Sequence, residues 1–427
     1  MKTAAGIAPR RFGYRWTILA LLFTATSINY LDRQVLGILA PTLGRELGWS
    51  ELDYGRIVSW FSFAYGLGLL LTGRFFDWAG TRLAYSLSVV VWSLACMGHA
   101  VVTTVAGFSL ARLALGLGEA GNFPGAVKTV AEWFPRSERA FATGIFNAGT
   151  NVGVVIAPIV VPSITATWGW RWAFIATGAV GFIWVAAWLV VYRDLNGHPR
   201  VSSEEAAYIR SDGPDAAVTL GWSSLIRCPQ TWAFIVGKSL TDPVWFFYLF
   251  WLPKFLDADF GVRLTALAAP LIVIYVVADF GSVGGGWLSS ALISRGWSVN
   301  AARKTALLAA AIAIVPTAFA PMASGMWTVV ALVSVAAAAH QWWSCNLFTL
   351  VSDMFPRSAV ASVVGIGGFM GAMTSMAVQR STGALLEATG GDYAPIFLVC
   401  GFAYLAALTL IHLLVPRMEL AAISGRA

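Results

Sequence analysis

The sequence predicts an all-α integral membrane protein with twelve transmembrane helices, arranged as two pseudo-symmetric halves of six. Hydrophobic residues make up 58% of the chain and charged residues only 11%, against about 45–50% and about 25% in soluble domains. This leaves too little polar surface to solvate a soluble body of 427 residues. Twelve apolar runs have the length that crosses a bilayer as a helix, about 20 residues.

The predicted spans form two sets of six, separated by the longest polar stretch of the chain. The first set lies near 16–38, 54–76, 82–103, 106–129, 141–162 and 170–192. The second set lies near 230–254, 266–290, 303–321, 325–348, 360–384 and 394–415. The predicted domains are an N-terminal half over 1–192, a cytoplasmic linker over 193–229 and a C-terminal half over 230–427.

The distribution of lysine and arginine predicts the orientation. With both termini in the cytoplasm, the inner segments hold 19 of these cations and the outer segments hold 5. Positive residues concentrate on the cytoplasmic side of membrane proteins. The remaining four cations fall within or at the edge of spans, and they are Arg33, Arg112, Lys238 and Arg380.

Loop sequences recur at equivalent places in the two halves. Trp133-Phe134-Pro135-Arg136 follows the fourth span, and Met354-Phe355-Pro356-Arg357 follows the tenth. Such internal repeats are typical of carriers whose site lies between the halves near the bilayer midplane. The sequence therefore predicts a duplicated carrier with a central site.

Four charged residues lie inside the first and fourth spans: Asp32, Arg33, Arg112 and Glu119. Each costs about 2.5–3.5 kcal/mol at the bilayer centre on insertion scales, so such residues usually face a water-filled path or one another. A purely structural ion pair between two helices is the alternative. Four ionisable groups in two helices exceed what packing needs, which favours function.

The spacing of these residues limits their pairing. Arg112 and Glu119 share one helix face, and Gly116 and Gly118 between them allow another backbone to approach. Asp32 and Arg33 are adjacent and point in different directions, so each needs a partner on another helix. Asp32 with Arg112, or Arg33 with Glu119, satisfies this requirement.

Other classes of protein are disfavoured. The four cysteines are scattered without metal-ligand spacing, and no nucleotide-binding motif is present, so no cofactor is expected. The net charge of +7 is spread over short loops and forms no basic stripe for nucleic acid. A membrane enzyme would need either a nucleophile with its base or a metal cluster, and the sequence contains a motif for neither of them.

At several motifs the chain resembles the major facilitator superfamily. Gly73-x3-Asp77-x2-Gly80-x-Arg82 is similar to its loop motif between the second and third helices. Two segments resemble its anion:cation symporter family, Asn29-Tyr30-Leu31-Asp32-Arg33 and Arg112-x3-Gly-x-Gly-Glu119. Within that family, three more resemble the bacterial hexuronate transporters: Leu240-Thr241-Asp242-Pro243-Val244-Trp245, Trp251-Leu252-Pro253-Lys254-Phe255 and His340-Gln341-Trp342-Trp343-Ser344. One departure is Ser290, where many members carry an aspartate, and it bears only on symmetric gating.

The resemblance implies that Arg33 and Arg112 bind the anion while Asp32 and Glu119 carry the proton. The residues themselves agree, because guanidinium groups bind carboxylates in a bidentate manner. Burial also favours the neutral form of a carboxylate, as a proton acceptor requires. We expect ionised Asp32 and Glu119 to occupy the arginines, and protonation to free them for substrate.

Further candidates line the same predicted path. Lys238 either pairs with Asp242 one turn later or reaches into the cavity, where the resemblance places it as a substrate contact. The other predicted substrate contacts are Tyr30, Tyr65, Thr150, Asn151 and Asn346. Asp77, Gly80 and Arg82, with Arg139, are predicted to hold a cytoplasmic gate.

Three polar residues in the C-terminal half are harder to assign. Asp279 is either a third protonatable group or a partner of Arg380. His340 is expected to be solvated near a helix end.

Together these observations predict a proton-coupled symporter that takes up a sugar-acid anion, most simply a hexuronate. It is expected to act as a monomer in the bacterial inner membrane. The alternatives are a carrier of an aldonate, a hexarate or another organic anion, a drug/proton antiporter, or a non-transporting sensor with a carrier fold. The paired arginines favour an anion over a cationic drug.

Overall fold

The structure of the protein, a computed structural model, describes residues 13–195, 198–211 and 222–421. Within these ranges the chain forms helices and no strand. The α-helices are α1 (Arg15–Leu47), α2 (Glu51–Gly98), α3 (Val105–Glu119), α4 (Asn122–Trp133), α5 (Arg136–Trp168), α6 (Trp170–Val191), α7 (Ser203–Ile209), α8 (Trp222–Ile226), α9 (Pro229–Phe250), α10 (Leu252–Phe260), α11 (Ala268–Ser294), α12 (Val299–Ile314), α13 (Met326–Met354), α14 (Arg357–Thr389) and α15 (Ala394–Leu414). Short 3-10 helices occupy His99–Val101, Leu264–Ala266 and Val315–Met322.

Local sequence explains where the first helices begin and end. Gly48 ends α1 in the left-handed conformation (φ 68°), which glycine adopts without strain. Ser50 and Asp53 form a reciprocal capping box that starts α2. Gly80 has φ 73° inside α2 and makes a sharp turn there, so this element contains two predicted spans.

Seven helical stretches in the described part are long and apolar enough to cross a membrane. They are Glu51–Val101, Phe141–Trp168, Trp170–Val191, Leu264–Ser294, Val299–Met322, Ser362–Thr389 and Ala394–Leu414. The first holds two of the predicted spans on either side of Gly80. Helices α1, α3, α9 and α13 are not among the seven, and they carry many of the predicted polar site residues.

The long helices pack as two groups. In the N-terminal group (α1–α6), α1 packs on α5, and α2 packs on α3 and α6. In the C-terminal group (α9–α15), α9 packs on α14 and α15, and α11 packs on α13. The groups meet mainly where α2 packs on α14, α5 packs on α11, and α1 packs on α9 and α10.

Polar contacts between the two groups concentrate at one end of the molecule, at the turn between α1 and α2. Lys254 Nζ lies 2.6 Å from Glu51 Oε1, and the Tyr54 hydroxyl donates to the Phe250 carbonyl at 2.6 Å. We call these four residues the closed end. Links near this end are Arg45–Asp257, Leu52–Glu387 and Ser59–Arg380, and a further link, Gln34–Tyr275, lies in the middle of α1.

The segment predicted as a linker docks against the N-terminal group. Arg15 Nη1 lies 3.2 Å from Glu205 of α7, and Arg15 Nε lies 2.9 Å from Glu138 of α5. The Tyr208 hydroxyl donates to Glu138 at 3.1 Å. These contacts tie α7 to the starts of α1 and α5. The two chain ends, predicted to be cytoplasmic, lie outside the described residues.

Candidate functional site

An ion pair between α1 and α3 forms the centre of the candidate site. Arg33 Nε donates to Glu119 Oε2 at 2.8 Å, and the two side chains are 4% and 0% exposed. Arg33 Nη2 also donates to Asn29 Oδ1 at 3.2 Å. The sequence left two pairings open, Asp32 with Arg112 and Arg33 with Glu119, and the structure contains the second. Buried charges need such partners because desolvation is costly.

Aromatic rings surround the Arg33 guanidinium. Its Cζ lies 4.5 Å from the centre of the Tyr30 ring and 4.8 Å from that of Tyr65. Phe61 is a third ring, at 5.1 Å. Ring faces attract cations, and the attraction is stronger away from water. Both predicted tyrosines are therefore close to Arg33, while Phe61 was not predicted from the sequence.

The helix that carries Glu119 is interrupted directly after it. Helix α3 ends at Glu119, and α4 begins at Asn122. A Cβ on Gly116 would lie 2.6 Å from the Phe61 carbonyl, and one on Gly118 would lie 2.6 Å from the Trp92 backbone nitrogen. These glycines let α3 press against α2, as their spacing predicted.

Arg112 lies deeper than Arg33 and has no exposed surface. Its Nη1 and Nη2 are 3.4 and 3.3 Å from the Arg33 carbonyl oxygen, and its Nε has no hydrogen-bond partner in the described part. Its Cζ lies 5.4 Å from the ring centres of both Phe61 and Phe250. Phe250 belongs to the closed end, so the C-terminal group covers this arginine.

Asp32 faces away from Arg33, into the N-terminal group. The Cys96 thiol donates to Asp32 Oδ1 at 3.5 Å, and Cys96 also contacts the Thr177 hydroxyl at 3.5 Å. Asp32 Oδ2 has no hydrogen-bond partner among the described residues. The alternative pairing of Asp32 with Arg112 is not formed here. The sequence analysis missed Cys96 and Thr177 because no spacing relates them to Asp32.

Thr150 and Asn151 bond to each other on α5. The Thr150 hydroxyl donates to Asn151 Oδ1 at 3.0 Å. The neighbouring Gly149 and Gly153 press against the α1 backbone at the carbonyls of Phe23 and Ser27. The glycine spacing is thus a helix-packing motif that brings these polar residues next to α1.

In the C-terminal group, Lys238 pairs with Asp242 one turn along α9. Lys238 Nζ lies 2.7 Å from Asp242 Oδ1, and the side chains are 13% and 17% exposed. Lys238 Nζ also lies 5.0 Å from the centre of the Phe348 ring of α13. The direct pairing considered from the sequence is therefore present, and both side chains keep some accessible surface.

Asn346 is buried between α13 and α11. Its Nδ2 donates to the Gly285 carbonyl at 3.1 Å and to the Trp342 carbonyl at 3.0 Å. His340 is also buried, and its Nδ1 lies 2.5 Å from the Tyr404 hydroxyl. The expectation of a solvated His340 was wrong, because α13 extends from Met326 to Met354 and places this residue at its middle.

Asp279 and Arg380 do not form the pair considered from the sequence. Arg380 Nε donates to the Ser59 hydroxyl at 3.0 Å and thereby joins the two groups. Asp279 Oδ1 is buried without a hydrogen-bond partner in the described part. Among the residues that the structure describes, no group of three or more histidine, cysteine, aspartate or glutamate side chains is arranged to hold a metal ion.

The predicted gating residues lie together at the opposite end from the closed end. Asp77 Oδ1 lies 2.7 Å from Lys128 Nζ, a partner that the sequence analysis did not consider. Arg82 donates to the Leu189 carbonyl at 2.5 Å, and Arg139 Nε donates to the Phe134 carbonyl at 3.0 Å. The first two contacts tie the turn at Gly80 to α4 and to the end of α6, and the Arg139 bond ties α5 to the end of α4.

A second carboxylate makes hydrogen bonds in the same region. Glu132 accepts hydrogen bonds from Thr81 at 2.7 Å and from the Tyr192 hydroxyl at 2.5 Å. It joins α2, α4 and α6 through one side chain. The sequence analysis missed Glu132 because its partners lie on two other helices, at separations that no local pattern relates.

Solved structures share this fold. The chain is similar to a bacterial homologue of the human lysosomal transporter Spinster, in an inward-facing and unoccupied conformation. The TM-score is 0.70 with 19% identity, and the match covers 96% of each chain. At this identity the likeness establishes the fold alone.

Sequence relatives are named transporters of sugar acids. The chain is 31% identical over 395 residues to the hexuronate transporter of Escherichia coli K12, covering 91% of this chain and 90% of the relative. It is 31% identical over 295 residues to the galacturonate transporter of Dickeya chrysanthemi, covering 67% and 85%. It is 25% identical over 448 residues to a probable galactarate/D-glucarate transporter of Escherichia coli K12, covering 100% and 99%.

The family assignment follows from a match over most of the chain. The model of the Major Facilitator Superfamily matches residues 22–379, which include Arg33, Glu119, Lys238 and the turn at Gly80. The helical fold, the apolar spans and the named relatives agree with that match. The chain belongs to the Major Facilitator Superfamily and is a multi-pass membrane transporter, not an enzyme.

Proposed function

We propose that this protein is a proton-coupled symporter that takes up a sugar-acid anion, with a hexuronate as the preferred substrate. The observation that carries the proposal is the Arg33–Glu119 ion pair, at 2.8 Å and almost without exposed surface. A cation neutralised by an internal carboxylate is a site that a substrate carboxylate can take over. The exchange requires the internal carboxylate to lose its charge.

In the proposed cycle, protonation of Glu119 releases Arg33. The substrate carboxylate then accepts hydrogen bonds from the freed guanidinium, whose planar fork matches a carboxylate. Tyr30 and Tyr65 flank that guanidinium, and their hydroxyls are suited to hydrogen-bond the sugar hydroxyls. Charge balance couples the two ligands, because the anion replaces the charge that the proton neutralised.

We assign related roles to Asp32 and Arg112, which do not contact each other in this structure. Asp32 is the second proposed proton carrier, and Arg112 is the second proposed anion contact. Phe250 covers Arg112 in this structure, so we infer that the substrate reaches Arg112 only after the closed end opens. Thr150, Asn151 and Asn346 remain proposed substrate contacts, although in this structure each bonds to other protein groups.

Transport in this scheme is alternating access between two six-helix halves, over 1–192 and 230–427, joined by the linker over 193–229. Polar contacts between the two helix groups cluster at the closed end. The solved homologue with the same fold is described as inward-facing. We infer that the closed end faces the outside, with both termini in the cytoplasm of a bacterium and twelve spans in its inner membrane. We propose that the transporter acts as a monomer.

The proposed gate on the inner side uses Asp77, Gly80, Arg82 and Arg139. When the carrier opens outward, we expect this turn to contact the C-terminal group and hold the inner side shut. The Asp77 side chain is 77% exposed here, which leaves it available for such a contact.

Relatives support the substrate class. Those of 31% identity are named for hexuronate and galacturonate, whereas a 25% identical relative is named for galactarate and D-glucarate. Hexuronates have one carboxylate, which suits the single guanidinium that Glu119 can release. An aldonate or a hexarate is the alternative substrate, and a non-transporting sensor is the less favoured function.

The test is uptake of labelled glucuronate into proteoliposomes under an inward proton gradient. Galacturonate, galactonate and glucarate serve as competitors, and a protonophore removes the gradient. We expect accumulation that the protonophore abolishes, with galacturonate as the strongest competitor. Competition led by galactonate or glucarate would change the substrate but keep the coupling. Absence of uptake of every sugar acid would refute the proposed function.

A further inference from the structure

The C-terminal group carries a second pair of opposite charges, Lys238 with Asp242, which resembles the Arg33–Glu119 pair of the N-terminal group. The distance is 2.7 Å in one pair and 2.8 Å in the other. The two pairs differ in access, because the Lys238 and Asp242 side chains keep 13% and 17% of their surface exposed. The second pair therefore keeps some surface that a ligand can contact.

The Lys238–Asp242 pair lies one turn along α9 from a residue that contacts the Arg33 site. The Phe246 ring centre lies 6.4 Å from that of Phe61, and the Phe61 ring centre lies 5.1 Å from the Arg33 guanidinium. Arg33 belongs to α1 and Lys238 to α9, so they stand on different helix groups. A ligand that binds Arg33 and extends along α9 would thus meet the Lys238–Asp242 pair.

The position of Asp242 is fixed from two sides. Its Oδ1 accepts from Lys238, while its Oδ2 lies against the backbone of α14 at Gly371, where a Cβ would overlap that oxygen. Among the other charged or titratable groups of the neighbouring helices, His340 is bonded to Tyr404 and Arg380 to Ser59. Within the described part, Lys238 is the ion-pair partner of Asp242.

This arrangement distinguishes ligands by their charge. The pair has no net charge, so its lysine does not attract a carboxylate as a free lysine would. A second carboxylate placed there would also meet the negative charge of Asp242, and like charges disfavour binding. Hydroxyl groups suit the pair, because the ammonium donates hydrogen bonds and the carboxylate accepts them.

We propose that Asp242 is a specificity-determining residue that selects sugar acids with one carboxylate over those with two. It does so by neutralising Lys238, so that one end of the substrate binds Arg33 as an anion and the other binds the pair through hydroxyls. The inference rests on the proposed function, since it assumes that sugar acids bind at Arg33. Without the charge of Asp242, Lys238 is a free second cation that favours a dicarboxylate.

The experiment compares competitors of labelled glucuronate uptake in wild type and Asp242→Asn. The measured quantity is the ratio of the inhibitory concentrations of glucarate, a dicarboxylate, and galacturonate, a monocarboxylate. We expect Asp242→Asn to shift this ratio toward glucarate by about tenfold, which corresponds to about 1.4 kcal/mol. The double variant Lys238→Gln/Asp242→Asn should lose this gain, because no free cation is left.

A matched control separates the release of Lys238 from a general loss of negative charge. Asp259→Asn removes one carboxylate from an exposed part of α10, in the same helix group, without freeing a lysine, so the ratio should remain that of the wild type. An equal shift in Asp259→Asn would refute the inference. An unchanged ratio in Asp242→Asn, or a shift that persists in the double variant, would refute it as well.

The outcome does not depend on transport by the variant. Thermal stabilisation of the purified protein by glucarate and by galacturonate gives the same ratio for a variant that binds but does not transport. Asp242→Ser serves as a second substitution if the asparagine variant is not folded. If the wild type takes up no sugar acid, the proposed function fails; if it takes up glucuronate and the variants keep its ratio, only the role of Asp242 fails.

Discussion

Replacing Glu119 by glutamine removes the charge that occupies Arg33 while keeping nearly the same side-chain shape. In the wild type, we expect glucuronate affinity to fall as pH rises, because ionised Glu119 competes with the substrate carboxylate. In the variant the competitor is a neutral amide, which binds the guanidinium more weakly and does not change its charge with pH. A hydrogen bond to a charged group contributes about 1.5–3 kcal/mol, so binding at alkaline pH should strengthen by about 10–150-fold.

Stability sets the choice of glutamine over alanine. Removing one partner of a buried ion pair costs about 3–5 kcal/mol, because the other charge is left without compensation. The amide oxygen of glutamine can still accept from Arg33 Nε, which lies 2.8 Å from the carboxylate oxygen it replaces. We therefore expect Glu119→Gln to fold and Glu119→Ala to be markedly less stable.

The assay measures equilibrium binding of labelled glucuronate between mildly acidic and mildly alkaline pH, together with two modes of transport in proteoliposomes. Glu119→Gln should bind with little dependence on pH and exchange substrate by counterflow, but fail to accumulate it under a proton gradient. Glu204→Gln, on an exposed part of α7, is the matched control. If Glu119→Gln retained the wild-type fall in affinity, or if both it and Asp32→Asn kept full gradient-driven accumulation, the exchange of carboxylates at Arg33 would be refuted.

Three further predictions concern gating and packing. Asp77→Asn breaks the pair with Lys128 and the proposed inner gate, so uptake should slow severalfold while glucuronate affinity stays unchanged; a large loss of affinity would contradict the gating role. Glu51→Lys removes the pair with Lys254 at the closed end, and accessibility of that end to a thiol reagent at an introduced cysteine should rise; the charge-swapped Glu51→Lys/Lys254→Glu should restore the low accessibility. Gly118→Val forces atoms into the Trp92 backbone, where overpacking costs about 1–3 kcal/mol, so the midpoint of thermal unfolding should drop; Gly44→Val, where a Cβ meets nothing within 4 Å, is the control.

The class of fold and the ion pair at the centre of the candidate site could be predicted because both depend on the cost of polarity in lipid. A helix of apolar residues is evident from composition, and a charge within it needs a partner. The same argument limited the partner of Arg33 to an acid on another helix. The glycines at 116 and 118 also identified a close helix contact, because a small residue in a spanning helix allows another backbone to approach.

The direction of each side chain could not be predicted in the same way. Asp32 and Arg33 are neighbours in sequence, yet one faces Cys96 inside the N-terminal group and the other faces the aromatic rings near the C-terminal group. A shift in helix rotation would exchange these environments without changing the hydropathy of the span. The partners Lys128, Glu132 and Cys96 depend on how three helices meet, which local spacing does not determine.

The position of Phe250 joins the closed end to the site. Its carbonyl accepts from the Tyr54 hydroxyl, and its ring lies 5.4 Å from the Arg112 guanidinium. Both contacts cross between the helix groups, so the groups cannot separate at this end without breaking them together. Separation would remove the ring from Arg112 and leave a buried cation without its cover. In the proposed cycle, a substrate carboxylate arriving from that side would compensate the charge, so anion binding and opening of the closed end should favour each other.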